Sequence, residues 1–540
     1  MKRFIIVFLF LSFNVFSQDI KTTEMQVVEE FNPYIPEAKR LNEYAVFLDT
    51  IKNDRKQTYQ LIDADLASAY QITPLKAALV RTENKNNLYN TYTLLATGYR
   101  SNALFSISYN KKINNQFSYG GLIYHNNYNA KVDKKKAAMN NNLLYFYSKK
   151  VWSTNIINTY LKHERNSAYT YGHDYTQDFD QTKTYFAYTK LAVNMMSQQI
   201  SKYGLRHNTS LFLADLNYMS ENQFHFNSSI DKKINNYPVI FNITFDNYAN
   251  YNSEEAVYLP LNKSIQLFSF TPSFSKQRFG IDFDFSLGLD YASDASFDLF
   301  PSVIASKELV DNILIVTLGV EDDKYRNTYK SLSDENRYIH TLGTNQRVIV
   351  SDTLLDLRTT ESKHFFFKIK NSLGYNDIWD ASFTYGFVEN LHYFDNNYQS
   401  SYNRFLVYYV DVWQLAISSS YERKLNNMIN LNVNMDYYDW GEQELAHKPN
   451  LLLSTYMSIN LRNKILLKPQ FQYFGKQNAF NQVFYQMNSR SYFNLNIEYR
   501  YSKKISAFLF MNNIFNSKQE IWRDYNHIGF NALFGFNYQF

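Results

Sequence analysis

The chain has 540 residues and a formal net charge of only +5; 96 residues are aromatic (Tyr 47, Phe 44, Trp 5) and none is Cys. This aromatic content excludes a disordered chain, the small charge does not suggest a nucleic-acid binder, and the lack of Cys excludes a disulfide scaffold and a Cys-ligated zinc site. Gly (15) and Pro (9) are too few for several linked domains, and a mean hydropathy of −0.43 with no long apolar run past the N-terminus excludes a helical membrane protein.

The N-terminus has the pattern of a secretory signal peptide. Lys2 and Arg3 precede an apolar run at 4–16, and Ser17 offers a small residue for cleavage. The run is too short to cross the ~30 Å hydrocarbon layer as an anchor helix. We therefore predict that residues 1–17 are removed on export.

Residues 18–85 differ in texture from the rest of the chain. Acidic and basic side chains alternate here, and Pro33 and Pro36 interrupt the early part. We interpret 18–85 as a short N-terminal head segment, either a periplasmic arm or a small gate inside a barrel lumen.

From residue 86 to residue 540 the sequence is a succession of alternating apolar and polar runs. In 281–291 the odd positions are Ile, Phe, Phe, Leu, Leu and Tyr, and the even positions include three Asp; 429–437 and 493–501 behave in the same way. A period of two places alternate side chains on opposite faces of a strand. The region is therefore predicted to be all-β.

Strand length separates a membrane barrel from a soluble sandwich, because both show this alternation. Soluble strands average ~5–6 residues, whereas these runs are about twice as long and match the ~9–11 residues that a tilted strand needs to cross a bilayer. Backbone groups in lipid must be paired, so the sheet must close. The prediction is a transmembrane antiparallel β-barrel of about 22 strands, within a range of 18–24, over 86–540.

The connections between these runs support one orientation. Links after even-numbered runs are mostly short Asn/Lys/Gly turns, and links after odd-numbered runs are mostly longer. Outer-membrane barrels have short periplasmic turns and longer outer loops. The N-terminus of the barrel is thus predicted to be periplasmic.

The final strand carries a separate signal. Alternate residues from 530 to 540 form an apolar, mostly aromatic face, and the chain ends on it. We predict that this strand is read by the barrel assembly machinery through Phe536, Tyr538 and Phe540.

Two segments resemble a known family. The ending Asn512-Asn513-Ile514-Phe515-Asn516 with its last strand resembles the final hairpin of TonB-dependent receptors. The head motif Phe31-Asn32-Pro33-Tyr34-Ile35-Pro36, followed by the barrel opening Asn87-Leu88-Tyr89-Asn90, resembles a plug-less branch of these barrels. The resemblance implies an outer-membrane receptor-like barrel, although 18–85 is too short for the globular plug of full receptors.

The head segment also offers a candidate coupling segment. Such segments are short, extended and rich in Val, and bind a periplasmic partner by strand addition. Residues 23–28 fit this description, with Glu24, Val27 and Val28 as the candidate residues. The alternative is an ordinary leader that contains two Val residues.

Charged residues on the polar strand faces are candidates for lining a pore. The alternative is that any water-filled lumen is polar without being selective. The candidate lumen-lining residues are Asp282, Asp284, Asp290, Asp436, Glu498 and Arg500.

Catalysis is not predicted. The ten His residues are scattered singly, and no nucleophile-elbow, zincin or phosphate-loop pattern occurs. No catalytic residue, metal site or cofactor is assigned.

The sequence thus predicts an exported Gram-negative outer-membrane barrel that serves passage or binding of an unidentified solute. Its expected partners are outer-membrane lipid and lipopolysaccharide, the assembly machinery, and a periplasmic or energy-coupling protein at 18–85. The alternative is a structural or assembly subunit that docks partners through 18–85.

Overall fold

The computed structural model describes residues 89–540 with short gaps. The gaps are 100–101, 133–134, 173–182, 202–203, 218–220, 236, 251–263, 294–296, 340–356, 373, 375, 397–403, 442, 444 and 482. The predicted signal peptide, head segment and coupling residues Glu24, Val27 and Val28 lie outside the described residues, so they stay predictions.

One sheet of 22 strands forms the body of the structure, as predicted. The first eleven strands are β1 Thr91–Gly98, β2 Asn102–Lys112, β3 Phe117–Tyr128, β4 Met139–Val151, β5 Asn155–Tyr169, β6 Lys183–Ser197, β7 Leu205–Leu216, β8 Glu221–Ile234, β9 Tyr237–Asn250, β10 Ser264–Arg278 and β11 Ile281–Ala292. The others are β12 Phe297–Val310, β13 Leu314–Arg326, β14 Thr359–Ser372, β15 Asp377–Asn396, β16 Phe405–Lys424, β17 Ile429–Asp439, β18 Leu451–Leu461, β19 Ile465–Phe474, β20 Arg490–Arg500, β21 Ile505–Asn512 and β22 Asn531–Gln539.

The sheet closes on itself. Each strand pairs antiparallel with the next along the chain, and β1 pairs with β22 through a register that includes Leu95 opposite Phe536. The Thr91 amide donates to the Phe540 carbonyl (2.9 Å), and the Phe540 amide donates to the Thr91 carbonyl (3.0 Å). The closed antiparallel barrel confirms the predicted fold class.

The two ends of the barrel have different connections. Those after even-numbered strands run from two residues (279–280) to seven (198–204), and those after odd-numbered strands reach 32 residues (327–358). In the two-residue link 279–280, Phe279 (φ 54°) and Gly280 (φ 69°) both adopt the left-handed region, as a type I′ hairpin requires. We call the end with the long connections the mouth end; the predicted sorting of link lengths is confirmed.

Among the residues that the structure describes, the small elements outside the sheet all lie at the mouth end. They are one helix, α1 (Tyr329–Glu335), and three short hairpins at 131–136, 477–487 and 520–526. Within the described residues, no helix is both long and apolar enough to cross a bilayer.

Apolar side chains fall into two separate populations. Many point away from the wall on one strand face, such as Leu95 (55% exposed), Leu213 (52%) and Phe536 (54%). The buried apolar cluster lies elsewhere, at the mouth, and unites α1 with the long connections and the strand ends there. The hydrophobic core of this protein therefore covers one opening of the barrel.

Candidate functional site

The mouth is crossed by residues 327–339, which include α1 and are called the mouth segment below. Thr328 caps α1: its hydroxyl accepts from the Ser331 amide, and the Ser331 hydroxyl accepts from the Thr328 amide. This reciprocal arrangement satisfies amides that lack partners in the first helical turn. A stable short helix is thus built into an otherwise irregular connection.

One side of the mouth segment contacts the wall around β5 to β8. The buried Glu221 carboxyl group accepts from the Tyr329 amide at the first turn of the helix (3.0 Å). The Lys330 ammonium forms an ion pair with Glu164 on β5 and lies 5.0 Å from the centroid of the Tyr188 ring on β6. These contacts fix the first turn of α1 against this wall.

The other side contacts the region of β15 and β16. The Glu335 carboxylate lies 2.7 Å from His392 Nε2 on β15 and 3.0 Å from the Lys448 ammonium. Burial raises the Glu335 pKa, but the His392 hydrogen bond and the Lys448 charge outweigh it and lower the pKa to about 2. The Phe405 amide, at the start of β16, donates to the Tyr338 carbonyl (3.0 Å).

These contacts show that the mouth segment crosses the opening. Lys330 is bound to β5 and Tyr338 to β16, which lie eleven strands apart in a ring of 22. Eleven steps separate these two strands in either direction around the barrel. A segment that touches both must pass from one half of the rim to the other.

Aromatic rings hold the end of the mouth segment in place. The ring centroid of Tyr338 lies 3.9 Å from that of Tyr525, and Tyr525 packs edge-on against Tyr171 at 5.0 Å. The Tyr171 hydroxyl donates to the Asn526 carbonyl (2.9 Å), and the Thr184 hydroxyl donates to the Arg337 carbonyl (3.2 Å). Three separate connections are thus joined at one point over the lumen.

Two histidines belong to this cluster as neutral groups. Burial, and then the charges of Arg490 and Arg523, lower the pKa of His447 to about 3. Burial, and then Arg490, lower the pKa of His527 to about 4. His447 packs edge-on against Phe405 at 5.2 Å between ring centroids, whereas His527 Nδ1 accepts from the Gly529 amide (3.1 Å) and lies 2.9 Å from Asn513 Nδ2.

The upper part of β13 also leans across the interior. Its pairing with β12 ends at Val320 opposite Val303, while its pairing with β14 continues to Arg326. At the end of β13, the Arg326 guanidinium lies 6.0 Å from the centroid of the Tyr248 ring, four strands away on β9. Upper β13 therefore separates from β12 and leans inward, and the mouth segment follows directly from it, while β14 stays paired with β15 as far as Glu361 opposite Glu389.

The residues predicted to line the lumen lie on the polar face of their strands. Asp284 accepts from the Ser275 hydroxyl, and Asp290 pairs with Lys324 (2.7 Å). Asp436 faces Ser418 in the sheet register, and Glu498 lies 3.1 Å from Arg500 Nε. Asp282 follows the parity of Asp284 on β11. The structure does not bring these six residues together at one point, and their selectivity role remains a prediction.

The candidate assembly residues lie together on the apolar face of the barrel seam. Phe536 (54% exposed), Tyr538 (43%) and Phe540 (54%) follow one another on the outside of β22 and its end. Their recognition by assembly machinery remains a prediction.

The mouth segment was not predicted from the sequence, which indicated only that links after odd-numbered runs are mostly longer. The signal that could have found α1 is the Thr328-x-x-Ser331 cap followed by Leu332. No sequence pattern predicts the contacts of α1 with Glu164 and Glu221, because these residues come near the helix only when the barrel closes.

Solved structures with the same fold include iron and siderophore receptors. The siderophore receptor PirA from Acinetobacter baumannii superposes with a TM-score of 0.61 at 12% identity, covering 85% of this chain and 81% of that one. The FrpB iron transporter from Neisseria meningitidis gives 0.64 at 9% identity (84% and 82%), and a ferric enterobactin receptor from Pseudomonas aeruginosa gives 0.58 at 11% (85% and 81%).

At these identities the likeness defines the fold alone: a 22-strand barrel of the kind found in siderophore receptors. No protein-family profile and no curated protein matches the sequence.

Proposed function

We propose that this protein is an outer-membrane, receptor-like transport barrel that passes or binds a small solute under the control of the mouth segment. The observation that carries the proposal is the crossing from Glu164 on β5 to Phe405 on β16, which puts an ordered cover over a wide barrel. Barrels of 22 strands enclose a lumen that natural transporters fill or cover. The fold likeness to siderophore and iron receptors favours transport over catalysis.

The membrane assignment rests on the side chains of the wall. The exposed apolar face, with Leu95, Leu213 and Phe536, suits lipid, whereas an exposed face of this size would cause aggregation in water. We place the protein in the outer membrane after cleavage of residues 1–17, with lipopolysaccharide at the mouth end and the assembly machinery acting on Phe536, Tyr538 and Phe540.

Energy coupling is proposed through the head segment. A TonB-like periplasmic partner would bind residues 23–28 by strand addition, with Glu24, Val27 and Val28 in the added strand. The solute itself is unidentified. The carboxylates Asp282 and Asp284 on the polar face favour cationic over anionic solutes.

The experiment is reconstitution into planar bilayers, using the mature chain and a chain that lacks 18–85. We expect low conductance with the mouth segment in place, and an increase when its anchors are broken. If neither chain conducts, whether the anchors of the mouth segment are intact or broken, the transport proposal is wrong.

That outcome would favour a non-transport assembly subunit. Affinity purification from detergent-solubilised outer membrane would then recover a partner that depends on 18–85.

A further inference from the structure

A histidine and two carboxylates meet on the polar face of the β13–β14 hairpin. Glu321 on β13 stands directly opposite His364 on β14 in the sheet register, and Asp323 follows on the same face as Glu321. His364 Nε2 lies 3.5 Å from Glu321 Oε1 and 3.8 Å from Asp323 Oδ2. One ligand atom from each residue falls within 4.8 Å of the others.

The imidazole is held in one orientation. Its Nδ1 lies 3.1 Å from the Ser362 carbonyl and 3.2 Å from the Ser362 hydroxyl; the carbonyl can only accept, which favours the tautomer with a proton on Nδ1. The ring is buried, and Gly386 opposite it on β15 leaves the space that a side chain would fill. Metal-ligating histidines commonly donate their second ring nitrogen to a carbonyl in this way.

This orientation directs Nε2 at two anions. A protonated ring would pair directly with the two carboxylates, whereas a neutral ring presents an Nε2 lone pair that a divalent cation between them would bind. Lys368 is the nearest ammonium, but its Nζ is 3.9 Å from Glu321 and lies over the Phe366 ring. In the described part of the chain, no Lys or Arg lies within 4.0 Å of Asp323, whose side chain is 74% exposed.

A second acidic group nearby provides an internal comparison. Asp290, Asp298 and Asp322 also converge, but the Lys324 ammonium sits among them at 2.7, 2.6 and 3.5 Å. That group has its cation supplied by the protein, whereas the group around His364 has an oriented ring nitrogen instead.

We propose that His364, Glu321 and Asp323 form a binding site for a divalent transition-metal ion on the lumen side of the β13–β14 hairpin. One imidazole nitrogen and two carboxylates suit Zn²⁺ and its neighbours better than Ca²⁺ or Mg²⁺, which prefer all-oxygen sites. The exposed side of Asp323 leaves further coordination positions open to water. The site goes beyond the proposed transport function and does not depend on it.

The test is Zn²⁺ binding to the full mature chain, purified in detergent without a polyhistidine tag and stripped with chelator. Isothermal titration should give one saturable site, and X-ray absorption should show one nitrogen and two oxygens from the protein at ~2.0–2.2 Å. His364→Ala and Asp323→Asn should each weaken binding at least tenfold, while Ca²⁺ should not compete.

The matched control is His225→Ala, since His225 pairs with Asp246 (2.8 Å) on the polar face of another part of the wall. It should leave Zn²⁺ binding unchanged. Heat-modifiable gel migration reports whether each variant is folded; because Asp323 is exposed, Asp323→Asn tests the site even if His364→Ala misfolds. The absence of a saturable site, or a site retained in Asp323→Asn, overturns the proposal.

Discussion

The Lys324 ammonium lies 2.6 Å from the Asp298 carboxylate, although the backbone pairing of their strands has already ended at Val303 and Val320. Lys324 shares the parity of Val320, whose side chain is exposed on the apolar face, whereas Asp298 lies on the polar face. The two can meet only because upper β13 passes inside its neighbour. This ion pair holds in place the hairpin that carries the mouth segment.

Removing that ammonium should loosen the hairpin. Lys324→Met leaves three converging carboxylates without their cation, and we expect it to destabilise the fold by roughly 1–3 kcal/mol. The measurement is the temperature at which the detergent-solubilised barrel loses its fast, folded migration on a gel. Lys307→Met, at an exposed position on β12, is the control. Equal melting of the two variants would contradict this role for Lys324.

The anchor at Glu335 should depend on pH. Its folded pKa of about 2 lies below the ordinary 4.5, so its stabilisation is complete above 4.5 and is lost as the pH falls towards 2. Pepsin cleavage within the mouth segment should therefore accelerate across this window. Glu335→Gln should be cleaved readily throughout and show a flatter profile. If the wild type and Glu335→Gln show the same dependence of cleavage rate on pH, Glu335 is not the pH-sensitive anchor that faces His392 and Lys448.

The C-terminal residue should have two separable roles. Deleting Phe540 removes both main-chain hydrogen bonds to Thr91, so folding in detergent and outer-membrane level should both fall. Phe540→Ala keeps those bonds and removes only the ring, so folding in detergent should persist while the level in cells falls, if the assembly machinery reads the ring. Unchanged cellular levels of Phe540→Ala would argue against recognition.

The strands of the barrel wall could be predicted because apolar and polar residues alternate along each of them. The period of two in 281–291 and 429–437 reappears as β11 and β17, and the count of 22 strands is confirmed. This alternation weakens at the start of β14. Residues 359–363 are polar on both faces, because upper β13 leaves the wall and its charges pair inside the barrel.

The mouth and the metal-ion group could not be predicted in this way. Lys330 meets Glu164, and His364 meets Glu321, only after the hairpins pair and the ring closes. The sequence separation between the two partners matches no known motif in either pair. The carboxylates on β11 could be assigned to the polar face from the alternation of side chains along the strand. That alternation does not show which of them pair with another residue.

If the mouth segment closes the lumen, breaking its anchor on β5 should open the barrel, and a charge swap at that anchor tests this most directly. Lys330→Glu places two carboxylates together at Glu164, and Glu164→Lys adds a like charge beside Lys162 and Lys330. The measurement is single-channel conductance in planar bilayers, with and without residues 18–85. We expect each single variant to conduct more than the wild type and the double swap to return towards the wild-type value. Equal conductance of the wild type, the two single variants and the double variant would contradict closure of the lumen by the mouth segment.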